Sequence, residues 1–555
     1  MSYIVKQPCD EAVIQSTPAH DASKELKSTT RAELSISAKS TGRWVLVATI
    51  LGSSMAFIDG TVVNVALPVL QNELHATATD VQWVVEAYSL FLAALILVGG
   101  SLGDHYGRRR IFAIGVLLFT LASVMCGLAP NVNVLIVARA FQGVGGALLV
   151  PGSLAIISAS FDSKQRGRAI GTWSGFTAIT SAVGPVLGGF LVQYASWRWV
   201  FFINVPLAAT VLIVLFWRVP ESRNETLAEH ARLDWWGALL ATLGLGGIVF
   251  GLIESNNLGL GSGLVLLSLA IGVTALIAFL LVEARSNSPM LPLTLFRSRT
   301  FSGANVLTFL LYAALGASLF FLPFNLIRVQ GYTPTEAGAA NLPLILLIFF
   351  LSRWSGGLVS RYGAKLPLII GPLIAATGFA LFARPGVGGS YWTTYFPAVV
   401  VLGIGMAVSV APLTTAVMGS VDTQYVGTAS GVNNAVSRTA GLIAIAVFGI
   451  VVLAIFSTSL ATQLSLLHVP AGIQQALLLQ ENKLVGIEIP AGLSTSTQVA
   501  VQQAIAESFI TSFRVVMLIA SALAVCSSLS SFLLIEGKKP PIDKKAPQEM
   551  ERKRS

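Results

Sequence analysis

Fourteen long apolar segments constrain this chain more than any other feature of its sequence. A helix that crosses a bilayer needs about 20 mostly apolar residues. Of the 555 residues, 54% are hydrophobic and 11% are charged, whereas a soluble protein carries about 25% charged residues. These values exclude an ordinary soluble domain and a disordered chain. The sequence therefore predicts an all-α polytopic membrane protein with spans at about 44–69, 82–102, 110–129, 133–160, 167–192, 199–217, 235–254, 262–283, 301–325, 336–358, 366–384, 393–418, 427–456 and 509–535.

The distribution of Lys and Arg tests this number of spans, because cytoplasmic loops of membrane proteins are enriched in both residues. If the N-terminus is cytoplasmic, the cytoplasmic loops and tails hold 27 of them, and the opposite side holds five. A missed or extra span would reverse the bias for the rest of the chain. We therefore expect fourteen transmembrane helices with both termini in the cytoplasm.

Two pairs of similar segments indicate an internal repeat. Residues 100–109 resemble residues 356–365 at an offset of 256, and residues 167–171 resemble residues 427–431 at an offset of 260. Chance similarity between glycine-rich loops is the alternative, but the two offsets agree. Two related six-helix halves are typical of transporters whose substrate binds between the halves, near the middle of the membrane.

The repeat divides the chain into six, two and six helices. The predicted parts are a cytoplasmic N-terminal tail, an N-terminal six-helix bundle, two inserted transmembrane helices, a C-terminal six-helix bundle and a cytoplasmic C-terminal tail. They correspond to residues 1–43, 44–217, 235–283, 301–535 and 536–555. The C-terminal bundle includes an extracytoplasmic loop at 457–508, which is too long to be a plain turn.

Charged residues inside predicted spans are candidates for function, because each costs roughly 2.5–3.5 kcal/mol on insertion. Asp59 lies near the middle of span 1, and a carboxyl whose partner Arg139 can move away is a proton site. The alternative is a permanent structural ion pair. Glu86 in span 2 is a second proton candidate, or it faces an outer vestibule. Asp59, Asn64 and Arg438 are expected in the substrate cavity, although Arg438 is also explained by helix packing.

The loop between spans 2 and 3 is a candidate gating motif. Gly100 and Gly107 permit a tight turn and close helix contact. Asp104 and Arg108 can lock neighbouring helix ends by an ion pair, and Asp162 is a candidate partner for Arg108. A positive cluster that only sets topology is the alternative, but it does not account for the aspartate and the two glycines.

Span 5 contains a second motif of small residues, formed by Gly175, Gly184, Pro185, Gly188 and Gly189. Proline inside a membrane helix frees a backbone carbonyl and bends the axis. The glycines allow another helix to approach closely. Generic helix packing is the alternative interpretation of this motif.

Together these segments resemble the major facilitator superfamily, and in particular its fourteen-helix drug:proton antiporters of the EmrB/QacA type. Residues 100–109 look like the signature loop, residues 139–146 like the helix 4 motif and residues 175–189 like the antiporter motif. The span 1 signature and two further segments also resemble that group, at 59–68, 197–206 and 233–237. In the second half, Ser360 replaces Asp104, so any charge lock is expected in one half only.

The resemblance implies an exporter in the inner membrane that uses inward proton flow to expel small, largely apolar compounds by alternating access. Asp59 would then be the main proton carrier, with Arg139 controlling its protonation. Asp59 and Glu86 would favour cationic cargo if they face the cavity. Export of an endogenous metabolite or siderophore remains open. Proton-coupled nutrient uptake also remains open, although the Gly184–Pro185 pair argues against it.

Other functions and partners receive little support from the sequence. No phosphate-binding loop occurs, which disfavours an ATP-driven pump. We expect no cofactor, and no metal, because the three cysteines and five histidines lack ligand spacing. We find no soluble catalytic domain, so we expect no enzyme. The net charge of +9 is spread over tails and short loops, which indicates lipid headgroups rather than nucleic acid. We expect a monomeric transport unit; a periplasmic adaptor with an outer-membrane channel remains an open partner.

Overall fold

Long helices account for the structure, which is a computed structural model describing residues 19–161, 163–222, 234–286, 289–421, 426–467, 469–490 and 493–537. Within these ranges all regular elements are helical. Fourteen helices are long and apolar enough to cross a membrane, and we number them α1–α14. This confirms the predicted all-α fold and number of spans.

We describe the spans as a first six, an inserted pair and a last six, following the division expected from the sequence. The first six are Gly42–Glu73, Ala78–Tyr106, Arg108–Gly127, Val132–Ser160, Ala169–Tyr194 and Trp199–Arg218. The inserted pair, α7 and α8, is Trp235–Leu258 and Gly263–Arg285. The last six are Arg299–Val329, Pro334–Ser352, Lys365–Phe382, Tyr391–Gly419, Thr428–Leu466 and Thr495–Leu534.

Because the number of spans is even, the start of α1 and the end of α14 lie at the same end of the bundle. We call this the terminal end, where α1 begins and α14 finishes, and we call the opposite end the distal end. The charge bias of the sequence predicts that the terminal end is cytoplasmic.

Helix packing repeats between the two halves at corresponding glycines. Gly145 of α4 packs directly against the backbone of Phe119 in α3, which leaves no room for a side chain. Gly405 of α12 packs in the same way against Ala375 in α11. Gly405 lies 260 residues after Gly145, and Ala375 lies 256 residues after Phe119, so both offsets of the sequence repeat return in the packing. Small residues let membrane helices approach closely where no hydrophobic force drives them together.

The inserted helices form an antiparallel pair against the N-terminal bundle. Gly247 of α7 contacts the backbone of α8 at Gly272. The indole of Trp83 in α2 donates a hydrogen bond of 2.8 Å to Glu254 of α7. Leu90 of α2 packs in one buried cluster with α7 and α13. The insertion therefore lies beside the contact between α2 and α13.

Helices extend into both ends of the loop that was predicted at 457–508. α13 continues to Leu466 and α14 begins at Thr495. We call residues 467–494 the distal cap; its regular parts are a short helix at Ala471–Leu478 and a 3-10 turn at Glu481–Gly486. Hydropathy did not identify the first turns of α14 because the residues there are polar.

Candidate functional site

A buried ion pair joins α1 and α4. Asp59 is 0% exposed and Arg139 is 1% exposed. The Arg139 guanidinium lies 2.5 Å from Oδ2 of Asp59, and the amide of Gln142 donates a hydrogen bond of 2.8 Å to Oδ1. Arg139 and Gln142 are three residues apart and therefore lie on the same face of α4. Both oxygens of the Asp59 carboxylate are thus engaged. Contact between Asp59 and Arg139 agrees with both interpretations of the sequence, a proton site and a permanent ion pair.

A second layer of contacts holds this ion pair in place. Arg139 Nε donates to the carbonyl of Val84 at 2.9 Å, and its guanidinium lies 4.4 Å from the centre of the Tyr88 ring. Gln142 donates to the hydroxyl of Ser123, which also accepts a hydrogen bond of 2.8 Å from Asn204. The network therefore ties α1 to α2, α3, α4 and α6. A buried pair with this many partners offsets much of its desolvation cost.

Glu86 lies outside this network. It is 0% exposed, and neither of its carboxylate oxygens has a hydrogen-bond partner in the described part of the chain. It lies on α2 one helical turn from Gln82 and one from Leu90, residues that contact α13 and the inserted α7. Glu86 is therefore enclosed and does not face an open vestibule in this structure. Because Asp59 and Glu86 are both enclosed, the condition for the expected preference for cationic cargo is not met here.

The cavity residues predicted on α1 and α13 are partly exposed. Asn64 and Arg438 both retain solvent access, although each lies well inside a span. Arg438 has no carboxylate within ion-pair distance among the described residues. A side chain added at Gly441, three residues from Arg438, would meet no atom within 4 Å. The Cα of Gly441 packs closely against Gly316 of α9, so α13 is open only on the side to which that added side chain would project.

The C-terminal half adds a neutral polar cluster that the sequence analysis did not identify. Asn433 donates hydrogen bonds to Asn305 at 3.2 Å and to Thr308 at 2.7 Å. The presence of Asn305 and Asn433 inside otherwise apolar spans is the sequence feature that could have revealed this cluster. The cluster connects α13 with α9 without any charge.

The gating motif forms an ion pair within itself. Arg108 lies 2.7 Å from Asp104, and the turn between them places Gly107 at φ +106°, a conformation that favours glycine. Gly100 makes only ordinary contact with Pro151, whereas its neighbour Gly99 packs against the backbone of α4. The close helix contact expected at Gly100 is therefore made by Gly99. Asp162, the other expected partner of Arg108, lies outside the described residues.

Glu221, which follows α6, was missed by the sequence analysis. Its carboxylate accepts hydrogen bonds from the backbone amides of Arg109 at 2.9 Å and Arg110 at 3.2 Å. The same carboxylate would lie 2.9 Å from a Cβ added at Gly107. Glu221 thereby caps the start of α3. More than 110 residues separate it from that loop, so no local pattern could reveal the contact.

The α5 motif makes two kinds of contact. Gly184 and Gly188 pack against Thr61 and Val62 of α1 without room for side chains. Gly189 packs against the backbone of Pro334 at the start of α10, in the other half of the molecule. Gly338 of α10 packs in return against the carbonyl of Pro185. Gly175, in contrast, has Phe349 at 4.0 Å and enough space for a side chain.

At the distal end, described side chains of one half donate hydrogen bonds to backbone carbonyls of the other half. Gln82 of α2 donates to the carbonyl of Ile445 in α13 at 3.2 Å. Arg328 of α9 donates to the carbonyl of Pro68 in α1. Gln71 donates to the carbonyl of Lys483 in the distal cap at 3.1 Å. Together with the α5–α10 contact, these bonds close the distal end.

Curated relatives cover most of the chain. It is 35% identical over 491 residues to the multidrug resistance protein Stp of Mycobacterium tuberculosis, with 86% of this chain and 89% of the relative covered. It is 32% identical over 511 residues to the tetracenomycin C resistance and export protein of Streptomyces glaucescens, with 91% and 93% covered. The puromycin resistance protein pur8 of Streptomyces alboniger is 36% identical over 412 residues, with 74% and 81% covered.

Solved structures share the fold. A bacterial homologue of the human lysosomal transporter Spinster superposes with a TM-score of 0.61 at 19% identity, covering 90% of this chain and 99% of that one. The nucleoside transporter NupG gives a TM-score of 0.54 at 12% identity, with 90% and 100% covered.

The profile that describes the Major Facilitator Superfamily matches residues 49–446. This match extends over more than half of the chain and agrees with both the fourteen spans and the relatives. The chain is a multi-pass membrane transporter rather than an enzyme, and its bacterial relatives are consistent with the inner membrane. It belongs to the Major Facilitator Superfamily.

Proposed function

We propose that this protein is a proton-coupled efflux transporter that exports small, largely apolar compounds by alternating access. The observation that carries the proposal is the enclosed Asp59 carboxylate, held by Arg139 and Gln142 in the middle of the N-terminal bundle. A membrane protein retains such a costly pair when the charge is used. No ATP-binding loop occurs in the sequence to provide another energy source.

The closed distal end defines the state from which the cycle starts. If the terminal end is cytoplasmic, as the charge bias predicts, cargo enters the space between the halves from the cytoplasm. In this state Arg139 neutralises Asp59. Rocking of the halves then opens the distal end, weakens the contact between Asp59 and Arg139, and lets Asp59 take a proton. Return of that proton to the cytoplasm gains about 2.3 kcal/mol per 100 mV of membrane potential.

The two glycine motifs would act as the mechanical parts of this cycle. Gly189 and Gly338 let α5 and α10 meet and part at the distal end. The Asp104–Arg108 pair, with Glu221 beside it, holds the ends of α2, α3 and α6 together at the terminal end. The group at the terminal end would move as a unit with the N-terminal half, whereas the α5–α10 contact would open and close between the halves.

The names of the relatives support export and also keep a second function in view. One relative is named for multidrug resistance, and another for both resistance to and export of tetracenomycin C. The second name favours export of a compound that the producing cell makes itself. A metabolite that accumulates inside a deletion strain would identify such a cargo.

The test of proton coupling compares Asp59→Asn with Asp80→Asn. Asp80 caps α2 at the distal end, where its carboxylate accepts a hydrogen bond from the Thr77 amide, so this variant controls for the same chemical change outside the network. A susceptibility panel in a pump-deficient host, with and without a protonophore, first provides a transported compound. Uptake of that compound into inverted vesicles is then driven by an acidic interior.

We expect Asp59→Asn to reduce proton-driven uptake at least about 100-fold, the effect of removing an essential proton-transfer group, and Asp80→Asn to retain it. Both variants must be present in the membrane at wild-type levels. Wild-type uptake by Asp59→Asn would exclude Asp59 as the proton carrier.

A further inference from the structure

Two acids and two arginines lie in the middle of the described spans, but only one acid and one arginine form an ion pair there. Asp59 and Arg139 neutralise each other and are both enclosed. Glu86 is enclosed as well and offers no oxygen to the space between the halves. Arg438 is partly exposed and has no carboxylate partner among the described residues. Arg438 is therefore a cation that no described carboxylate contacts.

The position of Arg438 on α13 is fixed by its neighbours on the same helical face. Ala435 packs against the buried cluster of the N-terminal half that contains Tyr88. Leu442 packs against Leu90 of α2. Because Arg438 lies three residues after Ala435 and four before Leu442, it shares the face that α13 turns toward α2. Arg438 therefore stands at the boundary between the two halves.

Open space begins next to this boundary. Asn434, one turn before Arg438, is exposed, and Gly441, one turn after it, has no atom within 4 Å of its missing side chain. On the other side, Tyr88 belongs to the cluster on which Ala435 packs, and its ring centre lies 4.4 Å from the Arg139 guanidinium. Arg438 is thus close to the ion-pair network but separate from it.

We propose that Arg438 binds an acidic group of the exported compound, so that the cargo is a small, largely apolar acid. This inference rests on the proposed export function and specifies its substrate class. A guanidinium is permanently charged, is planar and matches a carboxylate with two parallel hydrogen bonds. The apolar spans around it accept the rest of the molecule. A cationic cargo, in contrast, would meet an uncompensated positive charge at the boundary between the halves.

Cargo binding at Arg438 would also affect the contact between α2 and α13. An acid bound there neutralises the partly exposed charge of Arg438, which no described carboxylate pairs with. These two helices meet at the distal end through Gln82 and Ile445. Cargo charge would therefore act on the same helix pair that must separate when the distal end opens.

The experiment measures binding to purified full-length protein in detergent, without a proton gradient. The probes are 2-naphthoic acid, its methyl ester and 2-(aminomethyl)naphthalene, which share a ring system and differ in charge. The variants are Arg438→Gln and Arg438→Lys. Arg514→Gln is the matched control, because Arg514 lies in a C-terminal-half span and donates to the carbonyl of Ala383 away from the α2–α13 boundary. Thermal unfolding of each variant confirms that it is folded.

We expect the wild type to bind the acid more tightly than the ester or the amine. Arg438→Gln should weaken acid binding roughly 10- to 100-fold, the range for loss of a charged hydrogen-bonding partner, and leave ester binding unchanged. Arg438→Lys should fall between the two, and Arg514→Gln should match the wild type. If Arg438→Gln does not fold, the wild-type ranking and Arg438→Lys still provide the test.

Three results would overturn the inference: a wild type that binds the acid no better than the amine, equal loss of all three probes in Arg438→Gln, or no binding of any probe. Asp59→Asn can change the absolute affinity, but it should keep the preference for the acid over the ester and the amine, because Arg438 is unchanged. Failure of proton coupling in vesicles would therefore leave this binding result intact, and the two proposals can fail separately.

Discussion

The two halves of this transporter share a scaffold but not its chemistry. Gly145 in the N-terminal half and Gly405 in the C-terminal half make the same close helix contact, 260 residues apart. At the same offset, Arg139 corresponds to Val399 and Gln142 corresponds to Leu402, both almost fully buried. The repeat has therefore kept the packing and replaced the ion-pair network with hydrocarbon.

The difference shows which features the fold itself requires. The C-terminal half closes its core without an acid in α9, α11 or α12, so the Asp59–Arg139 pair is not needed to build a six-helix bundle. A buried ion pair is weak evidence for stability, because well-packed apolar residues often replace it at no loss. This comparison supports the proposal that the pair serves transport. The C-terminal half contributes a frame that carries the neutral Asn433 cluster and Arg438.

The largest expected effect comes from removing the cation of the pair. Arg139→Gln leaves the Asp59 carboxylate buried without a counter-charge, which costs about 3–5 kcal/mol of stability. The double variant Asp59→Asn with Arg139→Gln should recover most of that loss in thermal unfolding, yet remain inactive in proton-driven uptake. At the corresponding place in the other half, Leu402→Met should cost less than about 1.5 kcal/mol and remain active. Recovery of uptake in the double variant would contradict the assigned difference between the halves.

The contact between the halves provides the next test. Gly189→Ala places a methyl group against the backbone of Pro334, which cannot be accommodated without a shift. We expect it to loosen the distal end and reduce vesicle uptake by about tenfold, equivalent to roughly 1.4 kcal/mol. Gly171→Ala, in the same helix with no atom within 4 Å, is the control and should transport normally. Equal activity of the two variants would show that close α5–α10 contact is dispensable.

A smaller effect is expected at the terminal end of the N-terminal half. Glu221→Gln weakens contacts to Arg109 and Arg110 that are partly exposed to solvent. Exposed ion pairs contribute about 0–1 kcal/mol, so unfolding should shift slightly and the transport rate should change by a few-fold at most. Arg110→Gln, at a side chain that is 75% exposed, should have no measurable effect. A complete loss of transport in Glu221→Gln would instead place the lock at the centre of the mechanism.

The smallest effect is expected from the neutral cluster of the C-terminal half. Asn433→Ala removes two hydrogen bonds and should cost about 1 kcal/mol in thermal unfolding. Uptake should stay within about threefold of the wild type, because that free energy is shared by all states of a rigid frame. A loss as large as that of Asp59→Asn would mean that the C-terminal half also carries coupling chemistry.

Much of the fold could be predicted from the sequence because the membrane imposes one period and one length on every span. Hydropathy alone located the central part of each helix, and the distribution of Lys and Arg provided an independent test of the number of spans. Hydropathy failed where apolar composition does not follow structure. The first turns of α14 are polar although they are helical. The distal cap buries Leu477 and Leu484 within a segment of mixed composition.

The charged residues of the candidate site could be predicted from the sequence, and its neutral residues could not. Asp59 and Arg139 were identified because a charge inside a span is rare and costly. Ser123 and Asn204, which complete the network, are ordinary residues in sequence and acquire their role only when α3 and α6 meet. The enclosure of Glu86 was equally hidden, because a helical wheel does not show which neighbours cover a face.

The central claim is that one proton on Asp59 exchanges with cargo, and its most direct test is the pH dependence of cargo binding to purified protein. If protons and cargo compete, wild-type affinity should fall as pH decreases, approaching about tenfold per pH unit on the acid side, the slope for one linked proton. Asp59→Asn should bind with an affinity that does not change over the same pH range. The same pH dependence in wild type and Asp59→Asn would contradict the account.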